Sequence, residues 1–352
     1  MLLKKYNKDE ITNVKKIGVI MFGLMGDVIL RTPVISALKK LYPEAKVVVL
    51  VDPIGKAVLE CNDEVNEILV FDRKKEKNKL KQNLKKIKSI LRVRNEKFDL
   101  LVNLYNAGLS RPMVFFSGSH YKLGFCQQKN KYLYNVVNEC EEDRLKEAQS
   151  LYNYMISTVE ALSDEKFSLQ PRFDISNSVH QKVQNYLQSF KNYSEKTYTL
   201  NLAASKEDKI LDFEKYFYIV KYLYEKYRYV PAIISNPSQE YLQERFVKEF
   251  LKESSIPYMQ LKTLPLEEVA ALIKETAFIV TPDTGLMHLA ISLDSYILTI
   301  FTYTHPIFVD PKSKKFISLY EKFDEGCFYQ HQNISEDKIK EKVDILIQRF
   351  SQ

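Results

Sequence analysis

TPDTGLMHLA, residues Thr281–Ala290, is the stretch whose reading decides the fold. An apolar run of β character, Ala277-Phe278-Ile279-Val280, leads into it, and an apolar helical run continues through Ile291 to Leu293. The pattern predicts a buried strand that ends, at Asp283-Thr284-Gly285, where a helix begins. The unpaired N–H groups of the first helical turn and the positive end of the helix dipole converge there, which suits phosphate. Asp283 or Thr284 can cap the helix, Gly285 lets a ligand approach the backbone, and His288 lies one turn on at the same end. An ordinary capped helix with a packed His288 would use the same residues.

A second constellation stands near the N-terminus. Lys16–Phe22 reads as a buried strand, Gly23-Leu24-Met25-Gly26-Asp27 as a turn, and Val28–Leu41 as a helix with Pro33 in its first turns. The order is that of a nucleotide-binding α/β unit. The spacing G-x-x-G-D is not the dinucleotide fingerprint G-x-G-x-x-G, and no Gly-Lys-Ser/Thr follows to make a P-loop. An acidic residue at this turn is awkward for phosphate. Asp27 is therefore either a helix cap or a catalytic carboxylate.

Together these segments resemble glycosyltransferase family 9, the bacterial heptosyltransferases of lipopolysaccharide core assembly. The resemblance is carried by Gly23–Val51 and Thr281–Leu293, and in between by Phe98–Leu104, Leu123-Gly124-Phe125 and Leu200–Lys209. It covers most of residues 15–350. The chain departs from the family pattern at Ile210-Leu211-Asp212, where a tryptophan is usual, at Thr302–Pro306, where a glycine-rich turn is usual, and at Cys327, where a cysteine cluster is usual.

The resemblance implies a GT-B fold: α/β, with two Rossmann-like doubly wound domains facing a central cleft. It implies an inverting, metal-independent glycosyltransferase that passes a heptose from ADP-heptose to a lipopolysaccharide or related surface glycan acceptor. Asp27 would be the base, in an active-site loop with Gly23, Met25 and Gly26. Lys209, Asp283, Thr284, Gly285 and His288 would hold the donor. Ala204 and Ser205 in the preceding loop and Glu240 after the next strand are further donor candidates, Ser205 for phosphate and Glu240 for ribose. No cofactor is expected, because the ADP-sugar is a substrate.

Bulk properties fit a folded enzyme. The 352 residues suffice for two domains, and 45% hydrophobic with 12% aromatic residues argues against disorder. Cys61, Cys126, Cys140 and Cys327 are scattered with no C-x-x-C pair, which supports neither a zinc ribbon nor a disulfide framework. No apolar run is long enough to span a bilayer, and MLLKKYNKDE is not followed by a secretory h-region. The expected location is the cytosol, peripheral at the inner face of the bacterial inner membrane.

The net charge of +7 is concentrated. Residues 73–97 hold twelve Lys or Arg against two Glu, while Leu80, Leu84, Ile87 and Leu91 recur at helical spacing. This predicts an amphipathic helix that packs its apolar stripe on the domain and turns a basic face outward. That face is either merely solvated or attracts anionic lipid or a phosphorylated acceptor. No groove-reading motif or aromatic platform accompanies it, so nucleic acid is not an expected partner.

Strands expected near 17–22, 46–51, 67–71, 98–103, 121–125 and 134–137 alternate with helices near 28–42, 54–61, 75–95 and 145–161. Strands near 198–202, 230–235, 277–281 and 297–301 then alternate with helices near 213–227, 239–253, 266–275 and 284–293, before a closing helix over Ser335–Phe350. Such alternation implies parallel sheets covered on both faces. A polar connection around 170–180 sets the domains at 1–175, for acceptor and base, and 176–352, for the donor. Three other readings compete. An epimerase or hydrolase acting on a nucleotide sugar would need no acceptor, a nicotinamide dehydrogenase lacks its fingerprint here, and a non-catalytic basic binding protein leaves both loop motifs idle.

Overall fold

Parallel strands joined by helices run through the whole of a computed structural model that describes residues 4–105, 107–125, 131–138, 155, 158–168, 170–236 and 238–352. The chain divides into two compact units, Met1–Asp174 and Ile175–Gln352.

In the first unit, β1 (Lys16–Ile20), β2 (Lys46–Val51), β3 (Glu67–Val70), β4 (Leu100–Asn103) and β5 (Tyr121–Gly124) form a parallel sheet of order β3-β2-β1-β4-β5. These strands are almost continuously apolar because helices cover both faces of such a sheet. Helices α1 (Met25–Leu41), α2 (Pro53–Leu59), α3 (Lys79–Asn95) and α4 (Ser110–Phe116) make the crossovers. Proline tolerates the first turn of a helix, but Pro33 lies in the interior of α1. The carbonyl of Ile29, which its missing N–H would have bonded, accepts from the Thr32 hydroxyl at 2.8 Å instead.

The second unit holds β6 (Thr197–Asn201), β7 (Val230–Ile234), β8 (Met259–Gln260), β9 (Ile279–Pro282), β10 (Ile297–Ile300) and β11 (Phe316–Leu319), all parallel, in the order β11-β10-β9-β6-β7-β8. Its helices are α5 (Asn177–Gln188), α6 (Phe213–Tyr227), α7 (Glu240–Phe246), α8 (Leu266–Glu275), α9 (Gly285–Ser292) and α10 (Glu336–Phe350). Tyr198 and Phe278 stack at 5.1 Å in the core, and α10 closes that core with Ile339, Val343, Leu346 and Ile347.

Three expectations fail or change, and a fourth lies mostly beyond the described residues. The strand expected near 134–137 is a single bridge between Tyr6 and Val136. The N–H groups of Asn135 and Val136 converge on one carbonyl, that of Lys122, a bulge-like pattern that interrupts a regular ladder. The polar residues 176–178 start a helix, α5, rather than lie in a linker. The helix expected near 145–161 falls mostly outside the described residues. The apolar stripe of α3 is the largest departure. Leu80, Leu84, Ile87 and Leu91 are exposed, and Val93 is the helix's one buried residue. Polar anchors set this orientation: Lys85 bonds Asp72 and Glu76 at 3.3 and 3.1 Å, and Arg92 bonds the Val70 carbonyl at 3.0 Å. Periodicity finds a stripe but does not say which side of the helix meets the core.

Candidate functional site

Open α/β sheets bind ligands beyond the carboxyl ends of their strands, where the strand order reverses. In the second unit the chain runs from β6 outward to β7 and β8, then returns to β9 and continues to β10 and β11. The switch point therefore lies between β6 and β9. Asn201 ends β6 there, with Ala204, Ser205 and Lys209 in the loop that follows it. Asp283 and Thr284 follow β9, and Gly285 opens α9.

These loops are tied together. Lys209 Nζ lies 2.5 Å from the Asp283 carboxylate and 3.3 Å from its carbonyl. Asp283 is buried and Lys209 half-buried, so the pair is partly shielded from water and its geometry is held. Asn201 Nδ2 donates to the Thr281 hydroxyl at 2.9 Å and to the Ala203 carbonyl at 3.1 Å. The Thr281 and Thr284 hydroxyls lie 3.3 Å apart. Thr302, just after β10, donates to the Asp208 carbonyl at 2.6 Å and so pins the lysine loop from the other side.

The other candidates fall along the same strand ends. Thr284 occupies the N-cap position of α9, but its side chain makes no capping bond and Asp283 is engaged with Lys209, so neither residue caps by its side chain. Gly285 is half-buried, His288 is buried, Ala204 is buried and Ser205 is exposed. Glu240 opens α7 after β7 and accepts a hydrogen bond from the Thr263 hydroxyl.

In the first unit the reversal falls between β1 and β4. The turn after β1 carries Gly23, Met25 and Gly26, and Asp27 is the third residue of α1. Asp27 accepts the N–H of Leu24 at 2.9 Å, which is half of a capping box, and remains half-buried. Gly23 has a φ of 147°, and a Cβ placed there would sit 2.7 Å from the Asp27 carboxylate. We expect Gly23→Ala to displace that carboxylate and cut turnover by about tenfold or more, with about 1–2 kcal/mol of lost stability. Steady-state kinetics beside a denaturant melt would check it; unchanged turnover would mean that the position of Asp27 is immaterial.

Around Asp27 stand residues that the sequence reading missed. Asp52, after β2, accepts the Gly23 N–H at 2.8 Å and binds Arg73 through both carboxylate oxygens at 2.6 and 2.7 Å. That carboxylate holds the Arg73 guanidinium well above its usual pKa. The Arg73 guanidinium lies over the rings of both Phe22 and Tyr105, 4.7 and 4.5 Å from their centroids. Arg31, one turn beyond Asp27, donates to the Phe22 carbonyl at 2.5 Å, and its Nε has no partner among the described residues. Burial pushes its pKa down and the Asp27 charge opposes that shift. Asp52, Arg73 and Tyr105 each follow closely on an apolar strand. Tabulating the polar residues just beyond every strand, rather than glycine motifs alone, would have found them.

The family model described as glycosyltransferase family 9 (heptosyltransferase) matches residues 87–337. Lipopolysaccharide heptosyltransferase 3 of Escherichia coli is 34% identical over 99 residues, a match that spans 28% of this chain and 28% of that relative's length. Solved structures share the fold, among them the following two. The ADP-heptose lipopolysaccharide heptosyltransferase II of Escherichia coli superposes with a TM-score of 0.74 at 20% identity, covering 95% of this chain and 99% of that one. A family 9 glycosyltransferase from Veillonella parvula DSM 2008 gives 0.77 at 17% identity, covering 96% and 98%.

Proposed function

This chain belongs to glycosyltransferase family 9, and from that premise we propose that it is an inverting heptosyltransferase that moves a heptose from ADP-heptose to a lipid-linked glycan acceptor of the lipopolysaccharide type. The observation that carries the reading is the Lys209–Asp283 pair, set beside the first turn of α9 at a switch point. A departing diphosphate needs cations and oriented N–H groups to take up its developing charge. Lys209 and the Thr284-Gly285 amides would supply both, with Ser205 on phosphate, Glu240 toward the ribose and His288 completing the donor wall.

In the transfer, an acceptor hydroxyl attacks the anomeric carbon of the heptose. Its proton passes to the Asp27 carboxylate, the bond from that carbon to the phosphate oxygen breaks, and ADP departs. A single displacement of this kind inverts the anomeric centre. We assign the donor to the 175–352 unit and the acceptor to the unit that carries Asp27. The chemistry calls on no metal and no cofactor. Among the described residues no helix is long and apolar enough to cross a membrane, and we place the enzyme at the inner leaflet, where a lipid-linked acceptor would be met.

A panel of ADP- and UDP-sugars tests the donor. A selective ligand at about a hundred times its Kd raises stability by about 2.7 kcal/mol, enough to read in a melting curve. ADP-heptose should raise Tm and UDP-sugars should not. A UDP-sugar that stabilises best would overturn the donor assignment, and steady donor turnover without acceptor would favour the epimerase or hydrolase instead.

A further inference from the structure

We propose that the outward face of α3 inserts into an anionic lipid bilayer. Four apolar side chains at helical spacing lie bare along it: Leu80, Leu84, Ile87 and Leu91 are 74%, 57%, 51% and 50% exposed. Contiguous exposed apolar side chains rimmed by charge mark an interaction surface. The helix holds seven Lys or Arg and no acidic residue. At 100° per residue, Lys81 and Lys88 flank the stripe on one side, and Lys79, Lys86 and Arg94 lie on the other. Apolar residues between rows of long cationic side chains match a bilayer surface, with the stripe among the acyl chains and the ammonium groups raised to the phosphates.

Charge chooses this occupant over a second copy of the chain, whose identical face would bring the same cations into contact. A groove of about 460 Å³ beside the helix, lined by Lys81, Lys85, Lys88 and Arg92 together with Asp72, leaves room for a phosphate headgroup. Lys85 is the exception among these cations, since it is held inward by Asp72 and Glu76. Insertion of the stripe adds apolar burial to attraction by charge, and it depends on neither the sugar nor Asp27. Its failure would leave the transfer reading standing.

The chain contains no tryptophan, so Leu84→Trp in the full-length protein is a single reporter. With vesicles of equal phosphatidylcholine and phosphatidylglycerol, its emission should shift to the blue and be quenched by lipids brominated in the acyl chains. Neutral phosphatidylcholine vesicles should do neither. The exposed pair Leu84→Ser with Ile87→Ser should weaken co-sedimentation with anionic vesicles by about tenfold or more, with an unchanged melting curve. Four results would overturn insertion. They are no vesicle binding by the wild type, unshifted emission despite co-sedimentation, undiminished binding of the double variant, and a wild-type dimer in sedimentation that the double variant abolishes. The last would mean that a second copy covers the stripe.

Discussion

Asp27→Asn should lower turnover by about 10²-fold or more while leaving donor affinity nearly intact. The substitution is informative because it separates the observed capping contact of this side chain from the proposed role as base. As a cap, Asp27 needs only an oxygen to accept the Leu24 N–H. Asparagine supplies that oxygen, so the start of α1 should survive and Tm should scarcely move. As a base, Asp27 needs a carboxylate, which asparagine lacks. Kinetics, calorimetric titration of the donor and a melting curve on the same variant therefore separate the roles. Near wild-type turnover with an unchanged Tm would leave Asp27 as a cap and nothing more.

Lys209→Ala should weaken nucleotide-sugar binding by about 1.5–3 kcal/mol, the range for a charge-assisted hydrogen bond. It should also cost stability, because the Asp283 carboxylate that it bonds is buried and would lose its partner. The two effects can be divided. Adding Asp283→Asn removes the stranded charge and should recover part of the lost Tm, while donor affinity stays low because no cation faces the phosphates. Donor affinity that is unchanged in Lys209→Ala would show that the lysine serves only to fix the loop.

Much of the architecture could be read from the chain. Runs such as Val47–Val51 and Phe278–Val280 bury on both faces of a sheet and alternate with helical stretches, which is enough to call two parallel α/β sheets. The short strands β8 and β11 escaped because a few apolar residues carry no usable period, and α4 escaped for the same reason. Lys209, Asp283, Thr284 and Gly285 were legible as candidates because a strand–turn–helix junction has its own local chemistry, and a family resemblance picked them out. What such a reading lacks is partnership. It offered Asp283 as a cap, whereas the fold turns that carboxylate onto a lysine 74 positions away. Asp52, Arg73 and Tyr105 carried only the local signal of a polar residue just beyond an apolar strand; their grouping is not local, since only the strand order brings the ends of β1, β2, β3 and β4 to one edge.

The α3 helix marks the boundary most clearly. Sequence by itself determined that the segment near 75–95 forms an amphipathic helix rich in positive charge, because period and charge are properties of the chain. Which face meets the core was decided by tertiary structure. The Val93 side chain, the Val70 carbonyl and the Asp72 and Glu76 carboxylates hold the helix by its polar side and leave four aliphatic side chains in solvent. Periodicity sets the angles between side chains around a helix axis, but the direction of the core is set by contacts between residues distant in sequence.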